Sequence, residues 1–309
     1  MKLNLNGMRG LTALLGSALL LIGAAAFAEN KASWHGGMNF GLAQPVTEIN
    51  DPVASDGCPI EAPDGLSVAI ASTRGAGGDL DIWVADREAV GDSWSAPVQL
   101  PDPINTDAAE FCPTPLGRTL YFVSTRPAAC AGGNFYVSRQ GMSGSWSTPE
   151  LLPCAPQGPN FDSGVFSPSL VKTRHATYLF YSSPGEEGDH DIYVSTMGKD
   201  GQFGPGKIVH ALSNLIDDDR MPNVRRMKNG MWEVVFSSNR VTWGKKDEPA
   251  YGEQDVYRAV SPRLPHVWST PTNLGANVNT AGSETRASLS GDGKRLYFGR
   301  GGEVYVSHR

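Results

Sequence analysis

Acidic side chains recur along this sequence shortly before a Pro or Ser, at Asp56, Glu110, Asp219 and Glu284. The related segment between the second and third of them has Val165 instead, with Asp162 three residues earlier. Two carboxyl groups that share a pocket can divide acid and base roles, as glycoside hydrolysis requires. A repeated side chain can equally satisfy backbone donors or cap a turn. These acids are therefore candidates for ligand binding or catalysis, with a structural role as the alternative.

Other candidates depart from this regularity. Arg220 directly follows Asp219, and Arg286 lies two residues after Glu284. Arginines and carboxylates in one funnel could bind a polar, sugar-like ligand. An insertion at 242–252 carries Trp243 and Tyr251, whose rings could stack on a sugar or contact a partner protein. Loops longer than a fold requires are often functional, although this one could equally be a tolerated surface insertion.

No residue pattern predicts a cofactor or a firm metal site. The run Asp217, Asp218 and Asp219 offers oxygen ligands of the kind that Ca²⁺ prefers, but the Asp-x-Asp-x-Asp-Gly loop is missing, so calcium is a weak possibility. The sequence has no phosphate loop and no dinucleotide fingerprint. The net charge of −6 gives no basic footprint for nucleic acid, which we exclude as a partner.

The four cysteines are candidates for disulfides. Cys130 and Cys154 flank one predicted hairpin, and we expect them to be bonded. Cys58 and Cys112 occupy equivalent places in adjacent repeats and form the second candidate pair. Four cysteines allow three pairings, and the sequence does not choose between them.

The composition indicates what kind of elements position these residues. The chain has 36 Gly and 22 Pro among 309 residues, and 40% of it is hydrophobic. This disfavours a helical bundle and a disordered polyelectrolyte, and it favours an all-β protein. Residues 1–28 combine Lys2 and Arg9 with an apolar stretch and a small-residue cleavage site, which predicts a signal peptide. We therefore expect residues 29–309 to be periplasmic or secreted, with no transmembrane segment after the signal is removed.

Three short phrases recur in the same order. The first is an apolar strand that ends in Ser and often Arg, the second is an acidic or amide residue followed by an apolar residue and an aromatic ring, and the third resembles Trp-Ser-x-Pro. The second phrase begins at Asp81, Asn134, Asp191, Asp255 and Glu303. We expect the arginines of the first phrase to pair with the polar residue that opens the second; they are Arg74, Arg126, Arg240 and Arg300.

Each repeat reads as four short strands, and such units bury both faces when they stack radially. The pattern therefore predicts a single five-bladed β-propeller of four-stranded antiparallel blades over residues 29–309. The fifth repeat ends at Arg309 directly after its third strand, and residues 40–49 match the missing outer strand. We expect this N-terminal strand to complete the last blade and close the ring.

The unit at 284–298, with Asp292, Gly293 and Lys294 in its turn, resembles the TolB-like, WD40-like propeller repeat. The resemblance implies an exported binding scaffold of the cell envelope. On this basis we predict a monomeric, non-catalytic module that binds an envelope protein or a glycan. The alternative is a carbohydrate-active enzyme, a glycoside hydrolase or lyase, that uses the carboxylates of the central funnel.

Overall fold

The computed structural model describes residues 39–184, 189–214, 216–240 and 250–309. Within these ranges the regular structure consists of short β-strands that form five four-stranded sheets. The described part contains no helix long and apolar enough to cross a membrane. The predicted signal peptide at 1–28 and the side chain of Trp243 lie outside the described residues.

The five sheets are the blades of a propeller, which confirms the predicted fold. From the inner to the outer strand, they are blade 1 with β2 (Asp56–Glu61), β3 (Ser67–Ser72), β4 (Asp81–Asp86) and β5 (Val98–Gln99); blade 2 with β6 (Glu110–Leu116), β7 (Thr119–Ser124), β8 (Asn134–Arg139) and β9 (Glu150–Leu151); blade 3 with β10 (Phe166–Lys172), β11 (Thr177–Pro184), β12 (His190–Thr196) and β13 (Lys207–Ile208); blade 4 with β14 (Asp219–Arg226), β15 (Trp232–Ser238), β16 (Asp255–Ser261) and β17 (Thr272–Asn273); and blade 5 with β18 (Glu284–Leu289), β19 (Arg295–Arg300), β20 (Glu303–His308) and β1 (Gln44–Pro45).

Blade 5 is completed by the N-terminal strand, as predicted. Gln44 lies opposite Val306 and Pro45 opposite Tyr305 in an antiparallel pair. The main-chain nitrogen of Val46 donates to the carbonyl of Val304 at 2.9 Å. The outer edge of β20 is therefore covered by the other end of the chain, which closes the ring.

Every inner strand carries a β-bulge near its start, where the pairing register with the second strand shifts. One residue of each bulge has a φ between 49° and 60°, in the left-handed region that non-glycine residues rarely adopt; it is the second residue of the inner strand in blade 3 and the third in the other blades. We call these positions the inner ring; they are Cys58, Cys112, Ser167, Met221 and Arg286. The bulge interrupts the alternation of the strand and turns these side chains towards the central channel.

The core consists of five buried apolar clusters, one between each pair of neighbouring blades. The cluster between blades 1 and 2 is the smallest and includes Ile82 and Phe122. A cavity of about 550 Å³ adjoins it, lined by residues of both blades, among them Leu120 and Trp146. Blades 1 and 2 are therefore the least completely packed neighbours among those described.

Covalent and ionic links join segments of the ring. Cys130 and Cys154 form the predicted disulfide in blade 2, with Cα atoms 5.7 Å apart. Glu233 in β15 is fully buried and pairs with three arginines, Arg225, Arg258 and Arg309. Because Arg309 directly follows β20, this cluster links blade 5 to blade 4.

Candidate functional site

A pocket of about 230 Å³ opens at the end of the channel where the inner strands begin, and we call it the mouth pocket. Three residues of the inner ring line it, and Phe111 and Thr285 contribute side chains from the second position of their strands. Glycines form much of the remaining lining. The residues that line it and concern the site are Asp56, Cys58, Met221, Arg286, Arg300, Phe111, Thr285, Gly57, Gly301 and Gly302, so Asp56 is the one of the four recurring acids among them.

The four recurring acids are the first residues of their inner strands, as their register predicted, but each is held by an arginine. Asp56 pairs with Arg74 at 2.5 Å, and Glu110 pairs with Arg126 at 3.1 Å. Asp219 pairs with Arg240 in the same way, and Glu284 pairs with Arg300 at 2.8 Å. Their carboxylate side chains have no exposed surface.

We call each of these ion pairs a latch, and backbone contacts extend those of Asp56, Glu110 and Glu284 to the segment between consecutive blades. The main-chain nitrogen of Thr106 donates to Glu110 at 2.7 Å, and that of Thr280 donates to Glu284 at 3.0 Å. Arg126 also donates to the carbonyl of Ile104, at 2.6 Å. These three latches thus fix the segment that arrives from the preceding blade.

The arginines were predicted to pair with the polar residue that opens the second phrase, and this prediction was wrong. They pair with the acids of the inner strands. Several of them also pack over the aromatic ring of the second phrase. The guanidinium of Arg300 lies 4.5 Å from the ring centre of Tyr305, and that of Arg126 lies 5.0 Å from that of Tyr136. Asp81, an expected partner, accepts instead from Gln99 at 2.7 Å.

Blade 3 shows that acid and arginine belong together. It has Val165 in place of the acid. Its second strand ends in Ser183 and Pro184, and Pro184 stands where the first phrase of the other blades has its arginine. Both partners of the latch are therefore missing from the same blade. This favours the structural alternative for the acids, and the joint absence in the sequence was a signal for it.

Burial raises the pKa of two of these acids. The pKa of Asp219 is raised to about 7, because burial outweighs the hydrogen bond and charge of Arg240. Burial also raises the pKa of Glu284, against the hydrogen bonds from Thr280 and the charge of Arg300. Both residues precede positions at the mouth, since Met221 lies two residues after the first and Thr285 directly after the second. Of the two, Asp219 is suited by its pKa to donate a proton near neutral pH.

Arg286 extends across the channel from blade 5. Its Nη2 donates to Thr114 Oγ1 in blade 2 and to the carbonyl of Pro168 in blade 3, both at 3.2 Å. Its Nη1 lies 3.5 Å from the carbonyl of Pro222 in blade 4. The side chain is 1% exposed, so it closes the channel beneath the mouth pocket.

The two cysteines of the inner ring are free thiols in contact with each other. The second predicted disulfide, Cys58 with Cys112, is therefore not formed, although the two residues are neighbours as their register suggested. Cys112 Sγ also lies 3.3 Å from Ser167 Oγ of the next blade. The pKa of Cys112 is lowered to about 6, because the hydrogen bond from Cys58, the charge of Arg286 and the contacts of Ser167 outweigh the effect of burial.

The run of three aspartates is an ion-pair cluster and not a calcium loop. Asp217 accepts from Asn214 at 2.6 Å, and Asp219 is held by its latch. Asp218 pairs with Arg220 and accepts from the main-chain nitrogen of His190 at 3.1 Å. Burial and Arg220 lower the pKa of His190 to about 4, so this imidazole is neutral at pH 7. The described residues contain no group of three or more His, Cys, Asp or Glu that could hold a metal ion.

The remaining candidates lie away from the mouth pocket. Asp162 is exposed and accepts from the backbone of Ala131, so it supports a turn of blade 2. Tyr251 is 37% exposed, and its main-chain nitrogen donates to Asp255. The structure therefore brings Arg286 to the pocket but not Asp162 or Tyr251, and it leaves Arg220 at the ion-pair cluster.

Reasoning from the sequence missed the thiols as members of the pocket. Four of the five inner-ring residues are followed by proline, at Pro59, Pro113, Pro168 and Pro222. A residue before proline avoids the right-handed helical region, and a proline within a strand is typical of a bulge. This recurring pair was the signal that could have identified the channel-facing positions.

Known family profiles and characterised protein sequences gave no match to this chain. Solved structures share its fold, and three examples are carbohydrate-cleaving enzymes. An α-L-arabinofuranosidase from Podospora anserina, solved with cellotriose, has a TM-score of 0.59 and 12% identity and covers 88% of this chain and 98% of its own. The catalytic domain of one from Coprinopsis cinerea has a TM-score of 0.58 and 10% identity, covering 88% and 97%. An endo-arabinase from Bacteroides thetaiotaomicron has a TM-score of 0.55 and 14% identity, covering 88% and 97%.

These findings correct the main functional prediction. A non-catalytic binding module was expected, yet these three solved proteins, which share the fold over almost their whole length, are carbohydrate-cleaving enzymes. The alternative prediction, a carbohydrate-active enzyme, agrees better with them. At 10–14% identity the likeness establishes the five-bladed fold alone.

Proposed function

We propose that the protein is an exported carbohydrate-active enzyme that binds one end or one branch of a sugar chain in the mouth pocket. The observation that carries the proposal is the likeness, over almost the whole length of both chains, to enzymes that act on arabinose-containing glycans. The fold does not determine an activity, so the support must also come from what the mouth offers.

The size and lining of the mouth pocket suit a small polar ring. Its volume of about 230 Å³ is below the ~300 Å³ at which sites for drug-sized molecules begin, so only a small part of a chain would enter. Phe111 offers an apolar surface, and Thr285 and the glycine backbone offer hydrogen-bonding groups. The glycines allow a ligand to approach the main chain closely.

Glycoside hydrolysis needs an acid that keeps its proton near neutral pH. We assign this role to Asp219, whose pKa of about 7 leaves a large protonated fraction at that pH. Glu284 in the adjacent blade, whose pKa burial also raises, is the candidate for the second carboxyl. Glu110 holds the same register in blade 2, with the same kind of arginine partner, and like Asp219 and Glu284 it does not itself line the mouth pocket.

The test is a product assay on linear arabinan, arabinoxylan and an aryl α-L-arabinofuranoside. We expect the wild-type chain to release sugar and Asp219→Asn to lose at least about 10²-fold in rate, as for removal of a general acid. Glu110→Gln is the matched control, since it also breaks a latch but should keep its activity. Absence of product from every substrate, or equal activity of Asp219→Asn and wild type, would overturn the proposal.

A further inference from the structure

The inner ring contains a pair of thiols with unequal access to the mouth pocket. Cys58 from β2 is half-buried and lines the pocket, whereas Cys112 from β6 is 2% exposed and lies behind it. Cys58 packs against the apolar cluster that contains Cys112, and the ionisation of the two thiols is linked. A molecule that enters the pocket therefore meets the sulfur of Cys58 first.

The buried positive charge of Arg286 would be stabilised by an anion in the channel. Its guanidinium is bonded to neutral oxygens of Thr114, Pro168 and Pro222, and no carboxylate among the described residues forms an ion pair with it. Its Nε has no acceptor in the described part of the chain. A buried charge without a counter-charge is strongly destabilising, so a nearby group that can ionise is favoured in its anionic form.

Cys112 is the group that can provide this charge. The neighbours that face it from other strands are Cys58 on β2, Ser167 on β10 and Arg286 on β18. The thiol of Cys58 donates to it, Ser167 Oγ lies 3.3 Å away, and the arginine supplies the positive charge. The pair thus holds one proton on Cys58 and a thiolate on Cys112, which is the arrangement of a reactive dithiol.

We propose that Cys58 and Cys112 form a redox-active dithiol that reacts with small disulfides in the mouth pocket. The proton of Cys58 passes to Cys112 along their hydrogen bond, and the Cys58 thiolate attacks one sulfur of an external disulfide R–S–S–R. A mixed disulfide forms on Cys58 and one R–S⁻ leaves. Cys112 then loses its proton to this thiolate and attacks the sulfur of Cys58, which forms the Cys58–Cys112 bond and releases the second R–S⁻.

The two cysteines together give up two electrons, and the external disulfide is reduced to two thiols. This chemistry does not depend on the proposed action on sugars, because its reactants and products are thiols and disulfides. The disulfide between Cys130 and Cys154 takes no part in it.

The test exposes the folded full chain to glutathione disulfide, blocks the remaining thiols with iodoacetamide and maps the peptides without reduction. In the wild type we expect both thiols to disappear together and a Cys58–Cys112 linked peptide to form. Cys112→Ser should stop at a glutathione adduct on Cys58. In Cys58→Ser, the shielded Cys112 should react at least about tenfold more slowly than Cys58 does in the wild type.

A time course on the wild type keeps the proposal testable if a serine variant fails to fold. The adduct on Cys58 should precede the linked peptide, and an adduct that forms first on Cys112 would overturn the order of attack. Thiols that stay unmodified in the folded wild type but react in guanidinium would overturn the proposal as a whole. A chain isolated with the Cys58–Cys112 bond already formed supports it, provided that reduced glutathione regenerates both thiols together.

Discussion

Arginine side chains determine what the recurring acids can do. Asp56, Glu110, Asp219 and Glu284 are buried and each faces a guanidinium, so the mouth does not carry four free negative charges. The same contacts fasten successive blades to one another. One of these four acids can serve in catalysis only if it differs from a simple arginine-paired carboxylate. The raised pKa values of Asp219 and Glu284 are such a difference.

Glu110→Gln is expected to lower the free energy of unfolding by about 3 kcal/mol, because it leaves the Arg126 guanidinium without its carboxylate. Denaturant unfolding followed by tryptophan fluorescence measures the change. Glu150→Gln is the matched control, since its pair with Arg139 is exposed and should contribute less than about 1 kcal/mol. Equal effects of the two variants would contradict the latch.

Glu233 gives stability a defined dependence on pH. Burial alone would raise its pKa, but the hydrogen bond of Arg309 and the charges of Arg258 and Arg225 lower it to about 2, from an ordinary value of 4.5. The folded state therefore binds the proton less tightly than the unfolded chain. The resulting stabilisation is complete above pH 4.5 and is lost as the pH falls towards 2.

Glu233→Gln should therefore be less stable than wild type by about 3 kcal/mol at neutral pH, the order expected from a shift of this size. The difference should shrink as unfolding is measured at successively lower pH between 5 and 2. The exposed Glu88→Gln serves as control and should follow the wild-type curve throughout. A difference that stays constant down to the lowest pH would rule out the ionised glutamate as its source.

At the scale of the strand, the number and order of blades could be predicted from the sequence, but the direction of the inner-strand side chains was missed, because its signal was only the proline that follows most of the inner-ring residues. The blades follow from alternating apolar residues and repeated turn phrases, which are local patterns. A single bulge reverses the faces of a strand, and its position depends on pairing with the neighbouring strand. All four acids at the first position were therefore placed in the channel, but among them only Asp56 lines the mouth pocket, beside Cys58 and Arg286.

Closure of the ring by the N-terminal segment should have a measurable contribution to stability. Ile49 is fully buried between blades 5 and 1, so Ile49→Ala should cost about 2–5 kcal/mol. Leu42 lies in the same segment but is 68% exposed, and Leu42→Ala should change stability by less than about 0.5 kcal/mol. Thermal melting of the two variants tests the closure, and indistinguishable melting curves would contradict it.

The disulfide of blade 2 links positions 24 residues apart and should contribute about 3 kcal/mol in the chain-entropy description. A double variant with Cys130→Ala and Cys154→Ala is expected to lose this amount in denaturant unfolding. Dithiothreitol should destabilise the wild type to the same extent and leave the double variant unchanged. A reductant effect that persists in the double variant would assign it to other sulfurs.

For the whole molecule, Arg286 is the side chain that joins the most blades, since it extends from blade 5 to contacts in blades 2, 3 and 4. Its charge also acts on Cys112, so the centre of the propeller couples packing to ionisation. Arg286→Gln should raise the pKa of Cys112 from about 6 by about one unit or more. Thiolate absorbance in the ultraviolet, recorded against pH, measures it.

Arg286→Lys, which retains a positive charge, is the control for this titration and should keep most of the lowered pKa. If the titration midpoint of Cys112 in Arg286→Gln equalled that of the wild type, Arg286 would not be the charge that lowers the pKa of Cys112. Intact near-ultraviolet circular dichroism in both variants would show that the channel has kept its packing.

The pairing of β1 with β20 has a consequence for biosynthesis. Blades 1 to 4 are made of strands that are consecutive in the chain, so each can assemble as the ribosome releases it. β1 precedes all of these blades in the chain, but its partner β20, at Glu303–His308, follows them. A chain that terminates before β20 therefore keeps β1 unpaired and the ring open, with exposed strand edges that favour aggregation or proteolysis. Closure of the ring thus has to wait until β20 has been translated.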